Sequence, residues 1–143
     1  MSFKRPHSVL VVIFSQNGYV LMLERVQPEN FWQSVTGSLR ENESEIDAAM
    51  REVKEETGLS GNLIETDIEN TFPIIPAWRK RYAPSVTHNH EKVFYLALES
   101  VCNIRLNQSE HVRYCWLPRD EAADKASSWT NREAILALVP TRV

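Results

Sequence analysis

Between Gly37 and Leu59 the chain reads GSLRENESEIDAAMREVKEETGL, and three of its glutamates, Glu52, Glu55 and Glu56, stand at i, i+3 and i+4. On a helix that spacing puts all three carboxylates on one face. Left unpaired, like charges so placed cost roughly 0.2–0.5 kcal/mol per pair, and a bound cation removes that cost. Clustered hard oxygen donors suit Mg²⁺ or Mn²⁺, ions that take one or two carboxylates together with the phosphate oxygens of a substrate. Such an ion neutralises phosphate charge and lowers the pKa of an attacking water, so the chemistry within reach is hydrolysis at phosphorus. A solvated acidic face balanced by Arg51 and Lys54 is the plainer alternative.

The helix that would carry these glutamates follows from local signals. Ser44 with Asp47 three positions on has the pattern of a capping box, Ile46, Ala49, Met50 and Val53 recur at helical spacing, and Gly58 is placed to stop the helix, which is predicted over 45–57. Gly37, lacking a Cβ, is expected to let the backbone turn sharply into the preceding loop. Upstream, Ser8 to Phe14 is rich in β-branched residues and predicts a buried strand. Asn17-Gly18 supplies positive φ for a hairpin turn into a second strand over Tyr19 to Arg25. Phe31 to Thr36 is expected to run extended, and further strands are predicted at Leu63 to Glu69, Lys92 to Leu98 and Arg113 to Leu117. Pro118 suits the start of a short helix, and Thr130 with Glu133 predicts the cap of a last one, whose apolar stripe is Ala134, Ile135 and Leu138. Strands and helices mixed in this order give an α/β or α+β domain.

At 143 residues the chain is expected to form a single domain over 1–143. A net charge of −3, in a chain 24% charged, points to neither nucleic acid nor a membrane surface as a generic partner. Cys102 and Cys115 form no CxxC pair and are expected to be reduced, buried thiols, which suits a cytoplasmic protein. The longest apolar run, Val9 to Phe14, is too short to span a bilayer, and the N-terminus has no signal-peptide cleavage pattern. His88-Asn89-His90 reads as loop rather than as a metal pair, because no cysteine or acidic partner stands at ligand spacing.

The stretch from Gly37 conforms to Gly-x5-Glu-x7-Arg-Glu-Val-x-Glu-Glu-x-Gly-Leu, and in this it resembles the Nudix hydrolases. The resemblance implies an α/β/α sandwich around a mixed sheet and a pyrophosphohydrolase that depends on Mg²⁺, with Mn²⁺ as a substitute. It implies Glu52 and Glu56 as metal ligands with Glu55 assisting, Arg51 orienting a carboxylate by ion pairing, and Glu43 supporting the helix or holding a water. Family members recruit their general base from different places. Glu110, in the NQSEH segment before Arg113, is the candidate distant carboxylate for metal or water. The chain departs from the commoner pattern at Arg40, where acidic residues are frequent, and at Asn42, where glycine is. Asparagine tolerates left-handed geometry, so the loop is still expected to form.

Outside this box the chain is similar to one bacterial Nudix branch, the dihydroneopterin triphosphate pyrophosphatases, also known as dATP pyrophosphohydrolases. The similar pieces are KRP at Lys4 to Pro6, FWQSVTGS at Phe31 to Ser38, RYAP at Arg81 to Pro84 with Val86, Thr87 and Asn89 following, Glu110-His111, and SW-x-NR at Ser128 to Arg132. The likeness implies conversion of 7,8-dihydroneopterin triphosphate to its monophosphate and pyrophosphate, towards folate, with dATP and other nucleoside triphosphates also accepted. It implies a small-molecule triphosphate as partner, touched by Lys4, Arg25, Thr36, the segment Phe72-Pro73-Ile74-Ile75, Glu110 and Ser128. Lys4 and Arg25 would supply cationic donors to the phosphates, or simply be solvated. Phe72 and Ile75 would wall a pterin or purine ring, with core packing equally open. The run Trp78-Arg79-Lys80-Arg81-Tyr82 would draw in phosphate or stack on a base, or is a charged connecting loop. A house-cleaning pyrophosphatase acting on dATP or a damaged nucleotide is the competing enzyme. A non-catalytic Nudix-fold sensor is the competing binder, and the intact Glu52, Glu55 and Glu56 speak against it.

Overall fold

The computed structural model describes residues 3–141. Seven strands form one mixed sheet: β1 (His7–Ser15), β2 (Tyr19–Arg25), β3 (Trp32–Gln33), β4 (Val35–Ser38), β5 (Ile64–Pro73), β6 (His88–Leu98) and β7 (His111–Pro118). Its main path runs β3-β2-β1-β6-β5, with β4 also on β1 and β7 also on β2. β1 runs parallel to β6 along its whole length and antiparallel to β2 and β4. The turn into β2 takes its positive φ from Gly18 alone, at 89°, whose N–H donates to the Ser15 carbonyl at 2.9 Å.

β1 is apolar in every position from Val9 to Phe14 because helices cover both faces of the sheet. Val9, Val11 and Ile13 pack with Ala48, Ala49 and Val53 of α1 (Glu45–Thr57). Leu10, Val12 and Phe14 pack on the other face with Ala122 and Ala123 of α2 (Arg119–Lys125) and Ala134 and Ile135 of α3 (Trp129–Leu138). This is the expected three-layer arrangement around a mixed sheet.

α1 spans the predicted residues. The Ser44 hydroxyl accepts the Asp47 N–H at 3.3 Å, and Gly58, at φ 77°, donates its N–H to the Lys54 carbonyl at 2.9 Å. One member of the expected stripe is misplaced: Met50 is 52% exposed. The buried face turns instead through Ala48, Glu52 and Glu56, so the carboxylates occupy part of the inward arc and Met50 is pushed beyond its edge.

Four other expectations are corrected. The cap of α3 is Ser128, not Thr130: its Oγ accepts the Asn131 N–H at 3.2 Å, and Thr130 is buried in the first turn. The extended segment at Phe31 to Thr36 breaks at Ser34, whose N–H leaves the sheet to donate to Asn131 Oδ1 at 2.7 Å. His88 and His90 open β6 rather than lie in a loop, and His90 stacks on His7 with centroids 5.2 Å apart. Both cysteines are free thiols, but Cys102 is exposed and Cys115 half-buried. No helix among the described residues is long and apolar enough to cross a membrane.

Candidate active site

A pocket of about 1370 Å³ opens where β1, β4 and β6 meet the N-terminal arm, α1 and the start of α3. Gly37 shapes one wall, though not as a turn: it lies within β4. A Cβ built there would sit 2.2 Å from Glu52 Cδ and 2.4 Å from Oε2. The missing side chain is the space that the Glu52 carboxylate fills. The sharp turn belongs to Asn42, which takes the left-handed conformation expected of it at φ 61°.

Arg51 holds this corner together. Its Nε and Nη2 each donate at 2.8 Å to the two oxygens of Glu43, its Nη1 pairs with Glu52 and reaches Glu55 at 3.3 Å, and Nη2 also donates to the Ser38 carbonyl at 3.1 Å. A bidentate guanidinium grip of this kind fixes orientation as well as charge. It holds the Glu43 carboxyl down to about 2, the Arg51 hydrogen bonds being the largest cause. The unfolded chain titrates this group near 4.5, so the pair contributes fully above that pH and is lost as pH falls through about 2. Glu43→Gln is therefore expected to lower stability by roughly 1.5–3 kcal/mol at neutral pH. Thermal melts of wild type and variant from neutral pH downwards are expected to converge as pH approaches 2; a gap independent of pH would mean that the ion pair is not what is lost.

Glu56 lies behind the pocket wall, 1% exposed, with neither carboxylate oxygen hydrogen-bonded. Burial, then the neighbouring Glu52, pushes its carboxyl well above the usual range. His111 is equally buried, with Nε2 3.6 Å from Glu56 Oε1 and 3.3 Å from Gln33 Nε2. Burial lowers its ring to about 4, so it is neutral at pH 7 and offers a lone pair rather than a charge. Atoms of Glu56, Glu110 and His111 lie within 4.8 Å of one another. Glu110 is exposed at the rim, yet ringed by enough protein to lose hydration, which raises its carboxyl, with Glu52 adding to the effect. Buried carboxylate oxygens without partners, beside further carboxylates and a neutral imidazole, fit a divalent cation: it would satisfy what no group of the protein does.

Lys4 and Arg25 line the same pocket close to these carboxylates, Arg25 paired across the strands with His111, each with its pKa lowered by burial first, and Lys4 also by Arg81 and Arg25. The Arg25 guanidinium lies 5.3 Å from the centre of the Trp78 ring, which meets Phe31 edge-on at 6.1 Å. The basic-aromatic run falls on a 3₁₀ helix, Pro76–Arg81, rather than a loop, and brings Trp78 and Arg81 to the pocket.

The pocket gathers most of the predicted set: Lys4, Arg25, Thr36, Arg51, Glu52, Glu55, Phe72, Pro73, Ile74, Ile75, Glu110 and Ser128 all line it. Two of their hydroxyls already have work in the fold, Thr36 Oγ1 donating to the Val9 carbonyl at 2.9 Å and Ser128 Oγ capping α3. Three residues went unassigned in the sequence. His111 is turned inward by a bulge: β2 and β7 pair as Glu24↔Arg113 and then Arg25↔His111, skipping Val112. The skipped residue reverses the alternation along β7, leaving Val112 54% exposed and His111 buried. Asn89 and Glu91, each 6% exposed, line the pocket from β6. Their signal was the alternation of a strand start, hidden by the polarity of HNHEK.

Comparison with known proteins agrees with this geometry. A family model described as a NUDIX domain matches residues 4–138. The chain is 47% identical over 139 residues to the dihydroneopterin triphosphate diphosphatase of Escherichia coli K12, covering 93% of this chain and 91% of that protein. It is 38% identical over 141 residues to the Haemophilus influenzae protein of the same name, covering 94% and 88%. Among solved structures, that of the E. coli dihydroneopterin triphosphate pyrophosphohydrolase superposes with a TM-score of 0.90 at 45% identity, covering 97% of this chain and 98% of that one.

Proposed function

The chain belongs to the Nudix family, and on that premise we propose that it hydrolyses 7,8-dihydroneopterin triphosphate to the monophosphate and pyrophosphate, with dATP and other nucleoside triphosphates as further substrates. The observation that carries this reading is Glu56, buried with both oxygens unpartnered beside Glu52, behind the wall of a pocket that Lys4 and Arg25 line. Carboxylates for a cation and fixed side-chain cations gathered around one pocket suit a triphosphate. The relatives named for this reaction, similar along most of their length, supply the pterin.

In this reading Lys4 and Arg25 bind the phosphates, the arginine with the greater geometric selectivity. Arg51 positions the site: by gripping Glu43 it fixes the loop before α1, and by pairing with Glu52 it sets the carboxylate that packs on Gly37. Glu52, Glu56 and Glu110, with Glu55 assisting, would hold Mg²⁺, or Mn²⁺ in its place; when bound, the ion neutralises phosphate charge and acidifies water. Water adds to the α-phosphorus, the bond to the bridging oxygen of the β-phosphate breaks, and pyrophosphate leaves with that oxygen. Where Glu110 does not ligate the ion, its carboxylate would instead take the proton that the water gives up.

The test is the initial rate of pyrophosphate release with Mg²⁺ on 7,8-dihydroneopterin triphosphate and dATP side by side, with EDTA as control. The expected result is a higher kcat/KM for the pterin substrate, abolished by EDTA. Equal or better turnover of dATP moves the role to nucleotide metabolism; no turnover of either leaves a binding protein.

A further inference from the structure

On the α3 face, the pocket floor holds polar groups for which the phosphate chemistry has no use. Asn89 and Glu91 turn to the same side of β6, beside Ser8 of β1 and Asn70 and Phe72 of β5, which stand in register with them. The Asn70 amide donates to Glu91 Oε1 at 3.2 Å. Burial raises this carboxyl, and once ionised it accepts about four hydrogen bonds, so sites remain open beyond the one that Asn70 fills. Asn89 donates its amide N–H to Ser8 Oγ at 2.7 Å and leaves Oδ1 buried without a partner. At this end of the pocket the unmet buried group is an acceptor, the Asn89 amide oxygen, beside the Glu91 carboxylate. A merely structural polar cluster would cost free energy if left short of partners in this way.

We infer that Glu91 and Asn89 read the pyrimidine edge of the substrate's ring, selecting a 2-amino-4-oxo pattern over the 6-amino pattern of adenine. The inference rests on the proposed reading that the phosphates lie across Glu52 and Glu56. In a 2-amino-4-oxo ring, the ring N–H and the adjacent amino group both donate from one edge, and together they match the open sites of one carboxylate. Adenine sets an acceptor nitrogen beside its amino group, so against Glu91 one bond forms and two acceptors confront each other. The spacing agrees. Glu91 pairs with Ser8 and Ser8 with Ser38, whose carbonyl receives Arg51, so the ring end and the phosphate end stand two strand spacings apart, about 10 Å. Phe72, paired with Asn89, and Leu10, on the same face, offer apolar surface to the ring.

The test is Glu91→Gln, which keeps the size of the side chain and puts an amide donor in place of an acceptor. The enzyme with Mg²⁺ is assayed on 7,8-dihydroneopterin triphosphate, dGTP and dATP; guanine, 2-amino-6-oxo in purine numbering, presents the same ring N–H and amino donors on a purine. The ratios of kcat/KM for the first two over dATP are expected to fall by about 10-fold or more, mostly through KM. Asn89→Ser, which removes the unpaired oxygen and leaves Glu91 in place, is expected to lower the same ratios by about 3-fold or more. A variant that loses all three activities in proportion, leaving the ratios unchanged, would overturn the inference. If Glu91→Gln does not fold, the Asn89→Ser ratios decide. The dGTP arm separates the two failures: wild type that leaves the pterin triphosphate untouched sinks the proposed substrate, whereas the dGTP to dATP ratio still decides the edge.

Discussion

Replacing Glu56 with glutamine is expected to cut kcat by about 10³-fold while leaving the metal-free protein as stable as wild type, or more so. Glu56 is 1% exposed with both oxygens unpartnered, and burial pushes its carboxyl well up. A carboxyl raised in this way favours the folded state below its unfolded pKa, and that contribution is lost as pH rises through the folded value. At neutral pH the metal-free protein therefore carries a penalty that a neutral amide of the same shape avoids. A cation that binds the folded state stabilises it by mass action, so Mg²⁺ should raise the Tm of wild type and do so far less for the variant. Calorimetry with and without Mg²⁺, beside the turnover assay, checks both halves. Full turnover by the variant would sink the metal assignment, and a large drop in its metal-free Tm would make Glu56 a structural group instead.

Gly37→Ala is the second large effect, and one methyl group produces it. The added Cβ falls 2.2 Å from Glu52 Cδ and 2.7 Å from Cγ, far inside contact distance, against a side chain also held by Arg51. Either Glu52 leaves its seat or β4 moves away from β1, where Gly37 pairs with Val9. Overpacking of this kind costs about 1–3 kcal/mol, and displacing a positioned group by about 1 Å costs about 100-fold in rate. The expected outcome is a folded protein with a Tm lower by about 3–12 °C and kcat down by about 100-fold. Wild-type kcat in Gly37→Ala would mean that Glu52 can work from another position.

The parts that were legible in the sequence are those fixed by local rules. α1 follows from Ser44, its apolar stripe and Gly58, all within one element, and its residues match the prediction. The strands were found by their β-branched runs, with errors at the ends, where β5 extends to Pro73 and β6 begins at His88. What the sequence could not display depends on partners far along the chain. Helical spacing puts Glu55 and Glu56 on one face together, but only packing against the sheet buries Glu56 while leaving the Glu55 side chain 42% exposed. His111 depends on a bulge opposite Arg25, and no pattern in EHVRYC marks which residue is skipped. Asn89 and Glu91 look like surface residues until β1 and β5 close on either side of them. Gly37 was recognised as necessary for the wrong reason, because the side chain that needs the space belongs to another element.

The parallel pairing at the middle of the sheet also sets the order in which the molecule can come into being. β1 meets β6 from His7↔His90 to Ser15↔Leu98, partners 83 positions apart. At about 5–20 residues per second, a ribosome completes β1 roughly 4–15 s before it reaches the first of those partners. During that interval the apolar run from Val9 to Phe14 has no central neighbour and is exposed to wrong pairing, with the hairpin to β2 as its earliest shelter. Joining distant segments is slow in any case, because the chain entropy of closing the loop is lost before the contacts form. Nascent-chain truncations ending before and after Leu98 should therefore divide sharply in protease resistance. The polar floor at Glu91 would then arise late, whereas the seat of Glu52 on β4 draws only on β1, β4 and α1, which precede β6 in the chain.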